Sequence, residues 1–489
     1  MQEYLRILLE IRGDFPAERK PNAGGHAKNF NKVETNTNLA LRANERGRRG
    51  LKSLNVVGSK ELSGTVDVFP SENYTHRHVV ALSLSPGKSK ILNPLVNNKT
   101  LLTRRGCEAF GARVEEENKS WVFEGKEDFA APLDPLECDT SWQTVGMLMP
   151  MSLVAEGRCS FTGNSRMLRD SAVSLRRMLA SKSIEVRGRG LPSIQGPALK
   201  GGQIRIRDAD AYLASGLMLV SPRAESEVGI NFTGGLKLSN SAIAMTLDTM
   251  RKLGIETEEV GKKGELRIPA PQSYHPSEVT IEGSFLIGGL VLVAAAVSRS
   301  VVRVAGVNPN GLQPEVKLIE ALRQFGASVR VGEDFVQIDA RDAERGPMTM
   351  EAAESQLLFP ASILASFSDK WSTFTDFPYG KGDLPHDLRM LIIELNKLGV
   401  EVVYEERNLY VKGGDLKPAT LSSHADDFVS MACTCLALGI QDGLEIANIE
   451  YTSPYFMAFV ELVRGLGADI EVQEGGPSRE AESSSSSTE

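Results

Sequence analysis

The residues best suited to chemistry lie close together in Thr75-His76-Arg77-His78, where two imidazoles flank a guanidinium. On a helix, residues two positions apart point to different faces, so the spacing of His76 and His78 argues against a shared metal ion. Arg77 is different, because a guanidinium offers paired donors that fit phosphate or carboxylate. A single helical arginine can equally be a solvated or capping charge, and the sequence leaves both interpretations of Arg77 open.

Aromatic and acidic residues further along the chain could also form a binding surface. Trp142 and Tyr212 could make an aromatic floor for an apolar ligand, or they could fill a cleft, which is the favoured interpretation. A group of acids could attract a cation or a basic partner, although exposed acids are usually only solvated. These acids are Asp210, Asp383, Asp387, Asp426 and Asp427. The glycine-rich segment 200–202 lacks the strand and helix spacing of a nucleotide-binding loop.

An internal repeat must position these residues. A helical segment is followed by an apolar residue, a glycine, a small or β-branched residue and then an alternating strand. The glycines of this pattern are Gly111, Gly254, Gly326, Gly399 and Gly467, spaced by 143, 72, 73 and 68 residues. The first interval is almost double the others, so a sixth copy is expected near residue 182, where segment 176–186 fits with its glycine replaced. Each glycine is expected to end a helix in the left-handed conformation.

Six such α+β units of about 70 residues need partners to bury the apolar faces of their helices. The strands alternate, as in residues 328–331 and 401–404, so each sheet should have one solvated face. The pattern therefore predicts two domains, each with pseudo-threefold symmetry.

Composition excludes several classes of protein. The 489 residues are about three times a typical domain. A net charge of −8 argues against a general nucleic-acid binder. The longest apolar run, 285–297, is too short to cross a membrane. Five scattered cysteines, including the pair Cys433 and Cys435 in a C-x-C spacing, predict reduced and mostly buried thiols in a cytoplasmic protein. We expect a monomer.

The two ends differ from the middle. Residues 1–51 are rich in arginine, lysine and asparagine, and their acidic residues fit neither a signal nor a transit peptide, so a disordered basic arm is expected. Residues 475–489 contain five consecutive serines among acids and are also expected to be disordered. The folded part should span about 52–474.

The central segments resemble a known family. Residues 70–115 are similar to archaeal-type 5-enolpyruvylshikimate-3-phosphate synthases of the enolpyruvyl transferase family, and segments 199–202, 281–283 and 309–313 agree. The resemblance covers about residues 54–472. It implies an α/β fold of six βαβαββ-like units, three in each of two domains, arranged as inside-out α/β barrels. By analogy, one domain comprises 52–70 plus 284–474, and the other comprises 71–283.

The resemblance also implies a reaction. The family moves the enolpyruvyl group of phosphoenolpyruvate onto the 5-hydroxyl of shikimate 3-phosphate and releases phosphate. Both substrates are polyanions, so the cleft needs converging lysines and arginines, and proton transfer needs a carboxylate and a lysine within reach. Neither a metal nor an organic cofactor is implied.

Most positions that the resemblance assigns to substrate binding carry other residues in the first half of the chain. Glu72 and Asn73 stand at the family's Lys-Ser step, while Arg77 matches the family arginine. At the loop and helix that contact phosphoenolpyruvate, the family has an asparagine, a glycine and then an arginine, and the matching residues are Thr140, Trp142 and Gly146. At the next phosphate-binding arginine stands Asp170, with Arg166 and Arg169 one helical turn away, and the family's Ser-Ser-Gln falls on Asp210, Ala211 and Tyr212.

The second half shows the same replacement. Leu357 stands where the family has its catalytic aspartate, and Leu384 where it has a glutamate. The other members of that charged cluster match Lys381, Asp383, His386 and Asp387, of which only Lys381 keeps its charge. The family's His-Arg step falls on Asp427 and Phe428, and its late lysine lies near Thr452.

Three hypotheses follow. The chain is a working synthase of aromatic amino acid biosynthesis, a degenerate homologue that binds another ligand or protein, or an enzyme of altered chemistry that uses Arg77, Lys381 and His386. Losing a general base alone typically lowers the rate about 10²–10⁴-fold, so the family reaction is expected to be improbable. The remaining substrate-binding candidates are Arg77, Lys381, Arg166 and Tyr212.

Overall fold

A computed structural model describes residues 52–58, 60–179, 184–185, 192–207, 211–233, 237–261, 264–352, 355–377 and 384–474. The expected basic arm and serine-rich tail lie outside these residues. So do Asp210, Lys381 and Asp383.

Within these ranges, helices and strands alternate along the chain. The α-helices are α1 (Glu72–Ser83), α2 (Asn98–Ala109), α3 (Trp142–Met151), α4 (Ser165–Leu179), α5 (Ala211–Val220), α6 (Ser241–Lys252), α7 (Phe285–Val297), α8 (Leu318–Gln324), α9 (Ser355–Ser366), α10 (His386–Lys397), α11 (Asp427–Gly439) and α12 (Pro454–Gly465). The strands are β1 (Lys52–Val56), β2 (Ser63–Asp67), β3 (Gly87–Leu92), β4 (Arg113–Glu117), β5 (Ser120–Gly125), β6 (Leu136–Glu137), β7 (Gly157–Thr162), β8 (Ile184–Glu185), β9 (Ser193–Gly196), β10 (Gly202–Arg207), β11 (Val228–Thr233), β12 (Glu258–Val260), β13 (Glu265–Ile268), β14 (Glu278–Thr280), β15 (Val301–Ala305), β16 (Ser328–Val331), β17 (Phe335–Asp339), β18 (Thr349–Glu351), β19 (Ser372–Thr375), β20 (Glu401–Glu405), β21 (Asn408–Lys412), β22 (Leu421–Ser422), β23 (Leu444–Ala447) and β24 (Ile470–Glu474).

The described strands form six four-stranded sheets of one design. Their orders are β14-β3-β5-β4, β6-β7-β9-β8, β10-β11-β13-β12, β16-β17-β15-β2, β18-β19-β21-β20 and β22-β23-β1-β24. Each sheet has one pair of parallel strands, and its other two pairs are antiparallel. The parallel pairs are β14 with β3, β6 with β7, β10 with β11, β2 with β15, β18 with β19 and β22 with β23. In four sheets one helix follows the first strand and a second helix follows the next, which gives the βαβαββ unit. In the sheets that begin with β2 and β14 the chain passes to the other half after the first strand, so the first helix of the unit is α7 and α1, respectively. The six predicted units are confirmed, including the copy near residue 182, where β8 pairs with β9.

The repeated glycines end helices as expected. Gly111, after α2, has a φ of +117°, and Gly254, after α6, has a φ of +86°. The glycines at 326, 399 and 467 also have positive φ. A side chain at Gly254 would in addition lie 2.3 Å from the His275 ring, so glycine is required there for space as well as for conformation.

Side-chain caps fix where several helices begin. Ser71, Ser141 and Ser284 each accept a backbone N–H at the start of α1, α3 and α7, and Asp426 does the same at the start of α11. Such caps satisfy donors that have no partner within the helix. The short polar residues before these apolar helices therefore set their starting points.

Buried side chains form two separate hydrophobic clusters. One cluster draws on residues 54–68 and 285–470, and the other on residues 74–281. The chain passes between them twice, and the passages lie side by side. Pro70 and Gly283 form an antiparallel bridge, Ser71 N donates to Glu282 O over 2.8 Å, and Ser284 N donates to Phe69 O over 2.7 Å. The division into two domains at 70/71 and 283/284 stays a prediction. We refer to the parts as the 71–283 half and the other half.

Two expectations about the core can be checked directly. All five cysteines are free and buried, as expected. The apolar segment 285–297 forms α7, whose residues are almost all buried inside the fold. Among the described residues, no helix combines the length and apolar character needed to cross a membrane.

Candidate functional site

Helix α1 carries the residues that the sequence singled out, and residues four apart share a face of a helix. Glu72 and His76 therefore face one way, Asn73 and Arg77 a second, and the pair Tyr74 and His78 a third. Each face contacts different partners, so the chemical cluster at 75–78 is divided among three environments.

Arg77 is fully buried among helices. Its Nε donates to Thr246 Oγ1 over 2.9 Å, and its two Nη atoms donate to Ser215 Oγ (3.2 Å) and to the carbonyls of Asn73 (2.8 Å) and Ala242 (2.9 Å). Ser215 belongs to α5, while Thr246 and Ala242 belong to α6. Arg77 thus joins three helices, and the interpretation as a solvated charge is wrong because its guanidinium has no exposed surface. Its role in anion binding stays a prediction.

Glu72 is held by three donors of the same half. Asn97 Nδ2 donates to it over 2.7 Å and Gln143 Nε2 over 2.9 Å, while Lys99 Nζ lies 3.7 Å from Oε1. Burial by itself would raise the pKa of the Glu72 carboxyl, but Lys99, His76 and Asn97 together hold that pKa below its ordinary value. Glu72 is therefore an ionised, internally paired carboxylate.

Lys99 extends from α2 toward the other half. Glu72 is the main reason that the pKa of Lys99 is raised, and Asp426 and Asp427 contribute in the same direction. The Lys99 side chain keeps 39% of its surface exposed. The ammonium also lies 5.6 Å from the centre of the Phe428 ring, within reach of a cation–π contact. Lys99 thus interacts with both halves of the protein.

The other half presents acids at the starts of α10 and α11. Asp426 caps α11 by accepting from Phe428 N (2.9 Å) and Val429 N (3.0 Å). Asp427 accepts from Ser453 N over 2.8 Å and from Ser453 Oγ. Burial raises the pKa of Asp387, and Asp426 adds to that shift. These partly buried acids have structural partners and are not simply solvated.

Tyr455 is influenced by acids of both halves. Burial raises the pKa of its phenol well above the usual range, with Glu72 and Asp427 adding to the shift. Its ring centre is 5.5 Å from that of Phe69, where the chain first passes between the halves. We call the residues of this region the interface cluster: Glu72, Asn97, Lys99, Gln143, Asp426, Asp427, Phe428 and Tyr455.

His76 lies next to the interface cluster and is fully buried. Burial lowers its pKa to about 4, so its imidazole is neutral at pH 7. Its Nδ1 is 2.8 Å from Thr103 Oγ1, while Nε2 is buried and has no hydrogen-bond partner among the described residues. His78 Nδ1 instead donates to Tyr74 O over 2.9 Å. The two histidines therefore point apart, and no group of three or more His, Cys, Asp or Glu in the described ranges could hold a metal ion.

Helices α3 and α5 approach each other at backbone distance. A Cβ at Gly146 would lie 2.6 Å from both the carbonyl carbon and the Cβ of Tyr212. A Cβ at Gly216 would in turn lie 2.0 Å from Gly146 O. The structure therefore brings Gly146 and Tyr212 together and leaves no room for the arginine that the resemblance implies at 146. Trp142, the first residue of α3, stays 43% exposed and does not fill this contact.

The remaining candidates are spread over other surroundings. Arg166 is 91% exposed and lies 3.7 Å from Asp170 on the same helix face. Leu357 and Leu384 are buried in the hydrophobic cluster of the other half. Thr452 Oγ1 donates to Ile449 O over 2.6 Å. Thr140 and His386 are exposed, and Ala211 begins α5. These residues give no second cluster of charged groups.

Sequence reasoning missed Lys99, Asn97, Gln143 and Tyr455. One signal pointed to them: an acid at a position where the family has a cation must find donors nearby, or its burial would be too costly. Asn97 and Lys99 lie at the start of the next helix, but only the packed structure identifies them.

The interface cluster and the buried Arg77 share one property. Their cations and amides bond to the protein's own carboxylates, carbonyls and hydroxyls. In the interface cluster, the Lys99 ammonium balances the negative charge of the nearby carboxylates. Leu357 and Leu384 offer no titratable side chain at the positions where the resemblance implies an aspartate and a glutamate.

Comparison with known proteins identifies the family. The sequence profile of EPSP synthase (3-phosphoshikimate 1-carboxyvinyltransferase) matches residues 56–463. The chain is 27% identical over 423 residues to the 3-phosphoshikimate 1-carboxyvinyltransferase of Methanocella arvoryzae, covering 85% of this chain and 99% of that protein. The protein of the same name from Methanocaldococcus jannaschii is also 27% identical over 423 residues, covering 84% and 97%.

Solved structures show the same fold. The EPSP synthase of Acinetobacter baumannii superposes with a TM-score of 0.70 at 19% identity, covering 87% of this chain and all of that one. The enolpyruvyl transferase NikO of Streptomyces tendae gives a TM-score of 0.68 at 17% identity, covering 88% and 100%. The fold expected from the resemblance is confirmed. The chain belongs to the EPSP synthase (3-phosphoshikimate 1-carboxyvinyltransferase) family.

Proposed function

We propose that this chain is a divergent EPSP synthase homologue that keeps the two-part fold of the family and has lost or altered enolpyruvyl transfer. The observation that carries the proposal is the pairing of Glu72. A carboxylate stands where the resemblance implies a lysine, and Asn97, Gln143 and Lys99 hold it in place. A polyanionic substrate would meet a fixed negative charge at this point.

Energetics support weak binding of the family substrates. A hydrogen bond to a charged group contributes about 1.5–3 kcal/mol. Arg77 could donate to a phosphate only by giving up bonds to Thr246, Ser215, Ala242 and Asn73, so much of that gain would be cancelled. The backbone contact between Gly146 and Tyr212 excludes a cationic side chain at position 146.

The catalytic positions support the same conclusion. Leu357 and Leu384 cannot take up or release a proton, and both are packed in a hydrophobic cluster. Replacing a general base typically lowers the rate about 10²–10⁴-fold. We infer that transfer of the enolpyruvyl group is at least this much slower than in the family.

The proposal includes the organisation of the chain. We infer two domains, 52–70 plus 284–474 and 71–283, with the interface cluster between them. The ligand or protein partner of this shell is a different one from shikimate 3-phosphate and phosphoenolpyruvate. Free, buried thiols fit a protein of a reducing compartment such as the cytoplasm.

A second candidate is a working 3-phosphoshikimate 1-carboxyvinyltransferase. The names of relatives that align over nearly their whole length favour it. Their 27% identity extends across both halves of the fold, so a site formed by other side chains of the same shell would be compatible with the match.

Calorimetric titration of the full chain with shikimate 3-phosphate, with and without phosphoenolpyruvate, separates the two candidates. We expect no binding heat at millimolar ligand and no phosphate release when both are present. The Methanocella arvoryzae relative, titrated in parallel, controls for the ligands. Micromolar binding that tightens when phosphoenolpyruvate is added would refute the proposal and establish the synthase. Weak binding that strengthens in Glu72→Gln would instead support the repulsion argument directly.

A further inference from the structure

The halves of the protein are joined covalently only at 70/71 and 283/284. Both passages lie side by side, with Pro70 paired to Gly283 and Ser71 N bonded to Glu282 O. Two adjacent chain segments constrain twisting but act as a single hinge. The relative position of the halves therefore depends on contacts made away from this hinge.

Negative charge faces negative charge across those contacts. Glu72 lies on the 71–283 half, and Asp426 and Asp427 lie on the other. Glu72 and Asp427 both help to raise the pKa of the Tyr455 phenol, so carboxylates from both halves act electrostatically on one side chain. Like charges at short range in a partly desolvated region repel, so these acids alone would push the halves apart.

Lys99 supplies the opposite charge at this point. Its ammonium is 3.7 Å from Glu72 Oε1 in its own half and 5.6 Å from the Phe428 ring of the other half. Phe428 follows Asp426 and Asp427 at the start of α11, and both acids help to raise the pKa of Lys99. One flexible side chain thus interacts favourably with carboxylates from both halves.

We propose that Lys99 is a built-in latch: its ammonium holds the two halves closed over the cleft without any ligand, as an autoinhibitory contact. In a family whose substrates are polyanions, the bound ligand would be expected to supply negative charge between two halves that carry cations. Here the chain provides that charge itself. The latch is independent of whether enolpyruvyl transfer survives, because it concerns only the unliganded protein.

The test measures the distance between the halves in the full chain. Leu133 is fully exposed in the 71–283 half and Val331 is 37% exposed in the other half, while all five native cysteines are buried. Leu133→Cys and Val331→Cys can therefore be labelled selectively for single-molecule energy transfer. We expect one closed population in the labelled protein without ligand.

Lys99→Met should open the protein. The Lys99 side chain is 39% exposed, so an ion pair of this kind predicts a fall of about two- to fivefold in the closed-to-open ratio. Lys99→Arg keeps the charge and should remain closed. The matched control is Lys252→Met, which removes an ammonium 2.7 Å from Asp248 within α6 and should leave the distance unchanged.

Salt provides a second measurement that needs no substitution at Lys99. Raising NaCl from about 0.02 to 1 M shortens the screening length from about 20 Å to about 3 Å, so the labelled protein should open. Lys99→Met should instead close at high salt, because only the repulsion between the acids remains there to be screened. If Lys99→Met loses its circular dichroism signal, the salt series on the parent chain decides the question. An unchanged distance in Lys99→Met that is still folded, or in the parent at high salt, would overturn the latch.

Discussion

Two buried carboxylates, one in each half, show how the same chemistry serves different purposes. Glu394 in α10 is fully buried and accepts from Lys397 Nζ (2.8 and 2.9 Å), His424 Nε2 (2.5 Å) and Ser422 N (3.0 Å). All of its partners belong to the same half. Glu72 has one ionic partner, Lys99, which also interacts with the opposite half.

The pKa values of both carboxyls are lowered by the same balance. Burial alone would raise each pKa, and the surrounding donors more than reverse that effect. The difference lies in connectivity. Glu394 ties a helix to a loop within one hydrophobic cluster, so its loss should unfold that region. Glu72 contributes to the contact between clusters, so its loss should alter their arrangement and the binding of ligands more than stability.

Among substitutions that test the difference between Glu394 and Glu72, removal of the Glu394 carboxylate should have the largest effect on stability. Glu394→Ala leaves Lys397, His424 and Ser422 N without their acceptor, and losing several hydrogen bonds to a charged group costs about 3 kcal/mol. Urea unfolding followed by circular dichroism measures the loss. The exposed pair Glu461 and Arg464 gives the control, because Glu461→Ala should change stability by less than about 1 kcal/mol. Equal effects of the two substitutions would contradict the assignment of Glu394 as a buried structural tie.

Arg77 sharpens the comparison within the 71–283 half. Arg77→Met retains an apolar side chain of similar length but removes the bonds to α5 and α6, and we expect a loss of about 3 kcal/mol in the free energy of unfolding. The same urea experiment measures it. A stable Arg77→Met protein with altered anion binding would indicate instead that the guanidinium serves a ligand.

Packing can be separated from charge at Gly146. Gly146→Ala places a methyl group 2.6 Å from the Tyr212 backbone, and overpacking of this kind costs about 1–3 kcal/mol. Gly465→Ala is the matched control, since nothing lies within 4 Å of that Cβ position at the end of α12. We expect thermal unfolding to show destabilisation only for the first variant. A neutral Gly146→Ala would mean that α3 and α5 separate easily, leaving room for a larger side chain.

The smallest effect should appear in the pH dependence. A carboxyl whose pKa is lower in the folded state contributes stability above its unfolded pKa of 4.5, and this contribution is lost as pH falls through the folded pKa. Stability should therefore decrease between about pH 5 and 3, and Glu394→Gln should flatten this dependence more than Glu72→Gln. Unfolding curves at several pH values check the order. A larger effect at Glu72 would place the main electrostatic tie in the interface cluster.

Local pattern was enough to predict the repeated architecture. The glycine at each helix end and the alternating strands act over a few residues, so the six units, including the copy without its glycine, could be found before any tertiary contact was known. The family resemblance extended this to the unit topology. Cysteine burial followed from composition alone.

The candidate site was less predictable. The sequence showed that Glu72 replaces a lysine of the family and that Arg77 matches a family arginine. It did not show which groups either side chain would bond. Apart from the Asn73 carbonyl, which is four residues before Arg77, their partners lie between 25 residues away, as Asn97 is from Glu72, and 169 residues away, as Thr246 is from Arg77. No local pattern indicates which of many distant donors and acceptors will meet a given side chain.

The amino-acid sequence by itself determined the helices, the strands, the helix-ending glycines and the replacement of charged residues by leucine, acid and glycine at the expected site. These properties depend on local conformational preference and on side-chain type. Only the tertiary structure decided that Arg77 is buried between helices, that Gly146 faces the Tyr212 backbone, and that Lys99 spans the two halves. Those outcomes depend on which distant surfaces pack together, because electrostatic and packing interactions act through space and not along the chain.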